Sequence, residues 1–180
     1  MTDRVLTAFL ERQLAEGMAL AEASDLLRLI PLPGDPPRKY IADFRCKGLV
    51  KSAAGEIVEA ERFVVGIWFA DGYLREVDPC TALTWLEPHT IFHPNVSAGG
   101  PFICLGRIGP GTSLVELAYR CFELLTYNKV TMREDDALNR EACAWARHNL
   151  HRIPVDRRAL KRRARDGAID FDVDVIEVRG

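Results

Sequence analysis

His93-Pro94-Asn95 and, nine positions after the asparagine, Cys104 in the run Pro101-Phe102-Ile103-Cys104-Leu105 form the stretch on which the reading of this chain turns. Between the two halves lie Gly99, Gly100 and Pro101, residues that turn a backbone tightly and so bring the Asn95 amide and the Cys104 thiol toward one place. A nucleophile would then sit beside a hydrogen-bond donor. Taken alone, the same residues are better explained by a small buried cysteine and an asparagine that caps its own turn. The rest of the chain has to decide between these readings.

Length and composition narrow the field. A chain of 180 residues with 48 % hydrophobic content suits one globular domain that needs neither disulfides nor metal to hold its core. Lys and Arg number 24 against 26 Asp and Glu, a formal net charge of −2, so no bulk charge draws the chain to nucleic acid or to an anionic membrane. Protein or small-molecule partners fit better. Neither a signal-type apolar core nor an apolar run of bilayer length is present, and a soluble, cytoplasmic protein is expected. The five cysteines, Cys46, Cys80, Cys104, Cys121 and Cys143, are odd in number and irregularly spaced, which favours reduced thiols over a disulfide framework.

Working outward, Val5, Leu6, Phe9, Leu10, Leu14 and Met18 recur at helical spacing behind Asp3, and predict a helix from about 4 to 20. Ser24 would restart it through Leu26, Leu27 and Ile30, until the four prolines and one glycine of residues 31–37 stop it. From Tyr40 the period changes to two, with Tyr40, Ala42, Phe44 and Cys46 on one face. A polar turn over 53–56 precedes a second β-rich run, Phe63 to Phe69, expected to pair antiparallel with the first. Leu83-Thr84-Trp85-Leu86 reads as another strand, and Thr90-Ile91-Phe92 leads into the His-Pro-Asn turn.

Beyond Cys104, Ser113 to Glu116 has the form of a capping box, and Leu114, Leu117, Ala118, Cys121, Phe122 and Leu125 give the strongest helical stripe in the chain. A further helix, begun by Asn139 or Asp136, would bury Leu138, Ala142, Trp145, Ala146 and Leu150, and Pro154 would end it. Arg157, Arg158, Lys161, Arg162, Arg163 and Arg165 form a basic run with helical propensity, and residues 170–178 alternate acidic with apolar side chains like a strand. The fold class is therefore α+β.

His93-Pro94-Asn95, a glycine, and then Ile103-Cys104-Leu105 in this setting resemble the ubiquitin-conjugating enzyme family. Flanking likenesses are the run Phe63 to Phe69 followed by Tyr73, the Glu123-Leu124-Leu125 helix ending, and Asp135-Asp136-Ala137-Leu138. The resemblance implies a UBC-like fold: an N-terminal helix, a four-stranded antiparallel meander and C-terminal helices. Residues 1–153 would form that catalytic domain, and residues 154–180 would add the basic helix and the strand-like extension. It further implies that Cys104 carries a ubiquitin-like modifier as a thioester received from an activating enzyme and passes it to an amine on a target protein, with no cofactor.

Asn95 would then stabilise the oxyanion or order the adjoining loop, Asp136, with Asp135 second, would position the incoming amine, and His93 and Pro94 would be structural. Asn95 and Cys104 stand one residue further apart than is usual in the family, and Leu74, Asp78-Pro79 and the short loop after Cys104 depart from its pattern. Those two loops form much of the family's surface for RING-type ligases, which puts such a ligase in doubt as a partner. A kept core motif with lost ligase loops resembles divergent bacterial members found in ubiquitin-like conjugation operons, some of which act against phage.

Three other readings stay open. A non-catalytic UBC-like module that binds a ubiquitin-like protein or activating enzyme would normally lack the cysteine. A metal site from Cys80, His89, His93 and Cys104 matches no common zinc spacing. A redox role finds no second cysteine near Cys104 in the sequence.

Overall fold

The computed structural model describes residues 3–162. Helix α1 spans Arg4–Glu22 and starts where predicted, with the Asp3 carboxylate accepting from the Val5 and Leu6 amides at 3.0 and 3.3 Å. Its inner face carries Leu6, Phe9, Leu10, Gln13, Gly17 and Leu20. Gly17 allows close packing: a Cβ there would stand 2.6 Å from Leu114 Cδ2 and 2.9 Å from Leu29 Cδ2.

The expected continuation of the helix after Ser24 is not formed. The Ser24 hydroxyl accepts from the Leu26 and Leu27 amides, and the chain turns into strand β1, Leu27–Pro31. Leu27 and Leu29 enter the core while Arg28 stays outside, a period of two that pairs with the next strand and overrides local helical spacing. Strands β2 (Lys39–Phe44), β5 (Phe63–Trp68) and β6 (Leu83–Glu87) complete an antiparallel sheet in the order β1-β2-β5-β6. The predicted pairing of the Tyr40 and Phe63 runs is formed, from Lys39↔Trp68 to Phe44↔Phe63.

Between β2 and β5, where only a polar turn was expected, the chain makes a separate two-stranded hairpin of β3 (Gly48–Lys51) and β4 (Ile57–Ala60). One turn of helix, α2 (Pro79–Ala82), precedes β6, and two further helices follow: α3 (Leu114–Leu125) and α4 (Arg140–His148). Ser113 caps α3 through the Glu116 amide at 3.1 Å, and Asn139, not Asp136, caps α4 through the Ala142 amide at 3.0 Å. Leu138 and Leu150, expected on the buried face of α4, are exposed; Ala142, Cys143 and Ala146 are the residues that pack inward.

The main core lies between α1, the four-stranded sheet and α3, with Phe9, Phe69 and Tyr73 meeting edge to face or tilted at its rim. One polar side chain is built into it. Gln13 is fully buried, donates to the Phe9 carbonyl and accepts from the Leu114 amide at 2.8 Å, so it satisfies the first amide of α3 from across the core. A second cluster of Leu49, Phe92, Tyr127 and Ala142 joins the hairpin to α4.

Residues 154–162, read as the start of an extension, pack onto this same body. Leu160 is buried in the main core, and the Asp156 carboxylate accepts from the Lys47 amide at 3.1 Å and pairs with Arg158 at 2.6 Å. Residues 157–162 form no helical turn, because Arg158 reaches the Arg45 carbonyl, Arg162 reaches Asp25, and Leu160 must point inward between them. The remainder of the basic run, Arg163 and Arg165, and the alternating stretch 170–178 lie outside the described residues.

Candidate active site

His93 sets the backbone of the turn. Its ring is buried, Nε2–H donates to the Leu124 carbonyl at 2.9 Å, and Nδ1 accepts from the Asn95 amide at 3.0 Å. Both ring nitrogens are thereby used by the neutral form, and the ring packs on Tyr127 with centroids 4.5 Å apart. Burial pushes the imidazole pKa down to about 3. With both nitrogens engaged by backbone groups, the neutral ring ties the turn to the end of α3.

Asn95 and Cys104 close a hairpin loop. The Cys104 amide donates to the Asn95 carbonyl at 2.8 Å, Val96 and Ile103 form an antiparallel bridge, and the Ser97 amide donates to the Phe102 carbonyl at 2.9 Å. Residues 98–101 are left as the tip, held to the sheet where the Trp85 amide donates to the Pro101 carbonyl at 2.7 Å. The four tip residues therefore lie beyond the pairing that joins Asn95 to Cys104. The Asn95 side chain then bridges two segments: Nδ2 donates to the Cys104 carbonyl at 3.3 Å, and Oδ1 accepts from the Thr131 amide at 3.1 Å.

The loop after Cys104 is fastened from the opposite side. Arg120 on α3 donates to the Leu105 and Arg107 carbonyls at 2.7 and 2.8 Å, and the Tyr73 hydroxyl donates to the Thr112 carbonyl at 2.9 Å. Between this loop, α3 and the segment after it lies a cleft of about 420 Å³, lined among others by Asn95, Cys104, Arg120, Glu123, Lys129 and Thr131. Cys104 is partly exposed there. Of the other thiols Cys46, Cys121 and Cys143 are buried, with burial pushing Cys46 and Cys121 up to about 12, and Cys80 is exposed on α2.

The carboxylates are arranged differently from the expectation. Asp135 and Asp136 do not line the cleft; they are exposed and pair with Arg133 at 2.6 and 3.4 Å, and the hydrogen bond from Arg133 holds the Asp135 carboxyl below its ordinary range. The carboxylate that lines the cleft is Glu123, whose Oε2 lies 2.6 Å from Lys129 Nζ. Glu123 and Lys129 are site residues that sequence reasoning passed over. The signal for Glu123 was the face of α3 opposite the apolar stripe, where Arg120 and Glu123 stand three residues apart and so point the same way; Lys129, beyond the end of the helix, had none.

Chemically, the cleft combines an accessible thiol, a side-chain amide donor fixed next to it, and a carboxylate able to hold an ammonium group. This set suits acyl transfer from sulfur to nitrogen. Comparison with models of known protein families gives no match, and comparison with curated proteins gives none either.

Proposed function

We propose that the protein is a ubiquitin-conjugating-type transferase with a UBC-like fold, in which Cys104 accepts the C-terminal carboxyl of a ubiquitin-like modifier from an activating enzyme and passes it to an amine on a target protein. The observation that carries the reading is the Asn95 side chain, which ties the Cys104 carbonyl to the Thr131 amide at the mouth of an open cleft. The order of helix, four antiparallel strands, motif loop and capped helix supports it.

Exchange of one thioester for another is close to isoenergetic, so a cysteine can take the acyl group and keep it reactive. Attack by an amine then builds negative charge on the carbonyl oxygen. The Asn95 amide has two N–H bonds, of which one serves the Cys104 carbonyl, and the other is the donor this mechanism assigns to the oxyanion. Glu123 takes the role of holding the incoming amine that the resemblance gave to Asp136.

The test mixes the protein with activating enzyme, modifier and ATP. A reductant-sensitive adduct that is lost in Cys104→Ser is the expected result. Should the intact protein bind the modifier and form no such adduct, the chain is a non-catalytic module and the transferase reading falls.

A further inference from the structure

The chain has five lysines, Lys39, Lys47, Lys51, Lys129 and Lys161, against nineteen arginines. Arginine stays protonated and does not attack a thioester, whereas a lysine amine does. A protein that carries a reactive acyl group is therefore exposed to self-acylation chiefly through its lysines. Three of the five are held elsewhere: Lys39 lies over the Trp68 ring at 4.8 Å, Lys47 pairs with Glu59 at 3.6 Å, and Lys51 pairs with Glu141 at 2.7 Å. Among the described residues Lys129 is the lysine that lines the Cys104 cleft.

Its place is determined by the backbone. Helix α3 ends at Leu125, and Tyr127 adopts the left-handed conformation with φ 58°, anchored by its hydroxyl donating to the Phe92 carbonyl at 2.8 Å. The chain thereby folds back so that the Lys129 amide donates to the Glu123 carbonyl at 3.0 Å while Nζ meets the Glu123 carboxylate. Two residues on, the Thr131 amide is bound by Asn95, whose other end holds Cys104. Asn95 thus lashes the lysine's segment to the cysteine's. Lys129 and Cys104 line one cleft, on segments that a single side chain ties together.

We infer that Lys129 is an internal acceptor, and that the protein modifies itself there by moving the acyl group from Cys104 sulfur to Lys129 nitrogen. The inference rests on Cys104 being an acyl carrier. In the step, Nζ loses one proton to water and its lone pair attacks the thioester carbonyl carbon. The carbon–sulfur bond breaks, Cys104 leaves as thiolate and takes up the second proton from nitrogen, and an amide remains on Lys129. Glu123 is a positioning residue that keeps the amine in the cleft.

The experiment dispenses with activating enzyme and modifier, so that it separates this inference from the function proposed above. The full chain is treated with the mercaptoethanesulfonate thioester of acetyl-glycyl-glycine and followed by mass spectrometry after reductant. The expected result is an adduct that is first reductant-sensitive on Cys104 and then reductant-resistant on Lys129. Its conversion should be first order, independent of protein concentration, and slower by about tenfold or more in Lys129→Arg, measured from the loaded form. A resistant adduct that forms equally fast in Lys129→Arg, that maps to another lysine, or that does not form from loaded protein overturns the inference. A Cys104 that takes no acyl group overturns both readings. Transfer to Lys129 here, together with no adduct from activating enzyme and modifier, sinks the conjugation reading alone.

Discussion

His93 and Leu124, thirty-one residues apart, are joined by one 2.9 Å hydrogen bond that links the motif turn to the end of α3, while the Asn95 amide donating to Nδ1 of the same ring admits only the neutral imidazole. The folded protein therefore keeps His93 unprotonated, with a pKa of about 3 against 6.5 for a free imidazole. The stability this confers is fully present above the unfolded value and is lost as pH falls toward the folded one. Unfolding free energy should drop by about 1.4 kcal/mol per pH unit below the unfolded value. Asp156, held down to about 2, contributes only at more acid pH, so the range from about pH 6 to 4 belongs to His93. Urea titrations of His93→Gln, which retains a donor for Leu124, should show a flatter slope there; an unchanged slope would refute the assignment.

Asn95 fastens two backbone segments, and the proposed mechanism adds a second, separable duty as donor to the oxyanion. In Asn95→Ala, transfer from preloaded protein to an amine should slow by about 10²-fold, the usual cost of a lost oxyanion donor, with a much smaller effect on loading. Single-turnover discharge measures the first and adduct formation the second. Equal losses in both steps would mean that the residue only orders the loop.

In the proposed mechanism Glu123 and Asp136 are rival candidates for holding the incoming amine. Glu123→Gln should raise the KM for an amine acceptor by about tenfold, since hydrogen bonds to charged groups contribute about 1.5–3 kcal/mol, while leaving kcat nearly unaltered. Asp136→Asn, changing an exposed side chain paired with Arg133, should leave KM within about twofold. The reverse ranking would return the role to Asp136.

Leu160 is buried in the main core, whereas Leu150 is exposed. Leu160→Ala should destabilise the protein by about 2–5 kcal/mol and Leu150→Ala by less than about 0.5 kcal/mol. The difference between their urea midpoints checks whether residues 154–162 belong to the cooperative unit.

The parts of the fold that were readable in advance are those where one pattern dominates. The stripe from Leu114 to Leu125, the Asp3 and Ser113 caps and the alternation from Tyr40 are local signals that tertiary packing reinforces. The segment after Ser24 misled because Leu26, Leu27 and Ile30 satisfy helical spacing, while the pairing of β1 with β2 that decides its form is non-local. Residues 48–60 were missed as strands because each arm is four residues long. At the site, Asn95, Cys104 and His93 were legible from their motif. Glu123 and Lys129 were not, because their meeting depends on the left-handed Tyr127 turning the chain back, and a tyrosine carries no sequence signal for that conformation.

Gln13 gives α1 a part in the cleft it never touches. Apolar contacts carry no direction of their own, whereas an amide that must meet one particular N–H permits a single alignment. Because that N–H opens α3 and Glu123 lies nine residues further along the same rigid rod, the first helix acts as a gauge block. Slippage of α1 by one residue would travel along the rod and be felt as a misplaced carboxylate at its far end.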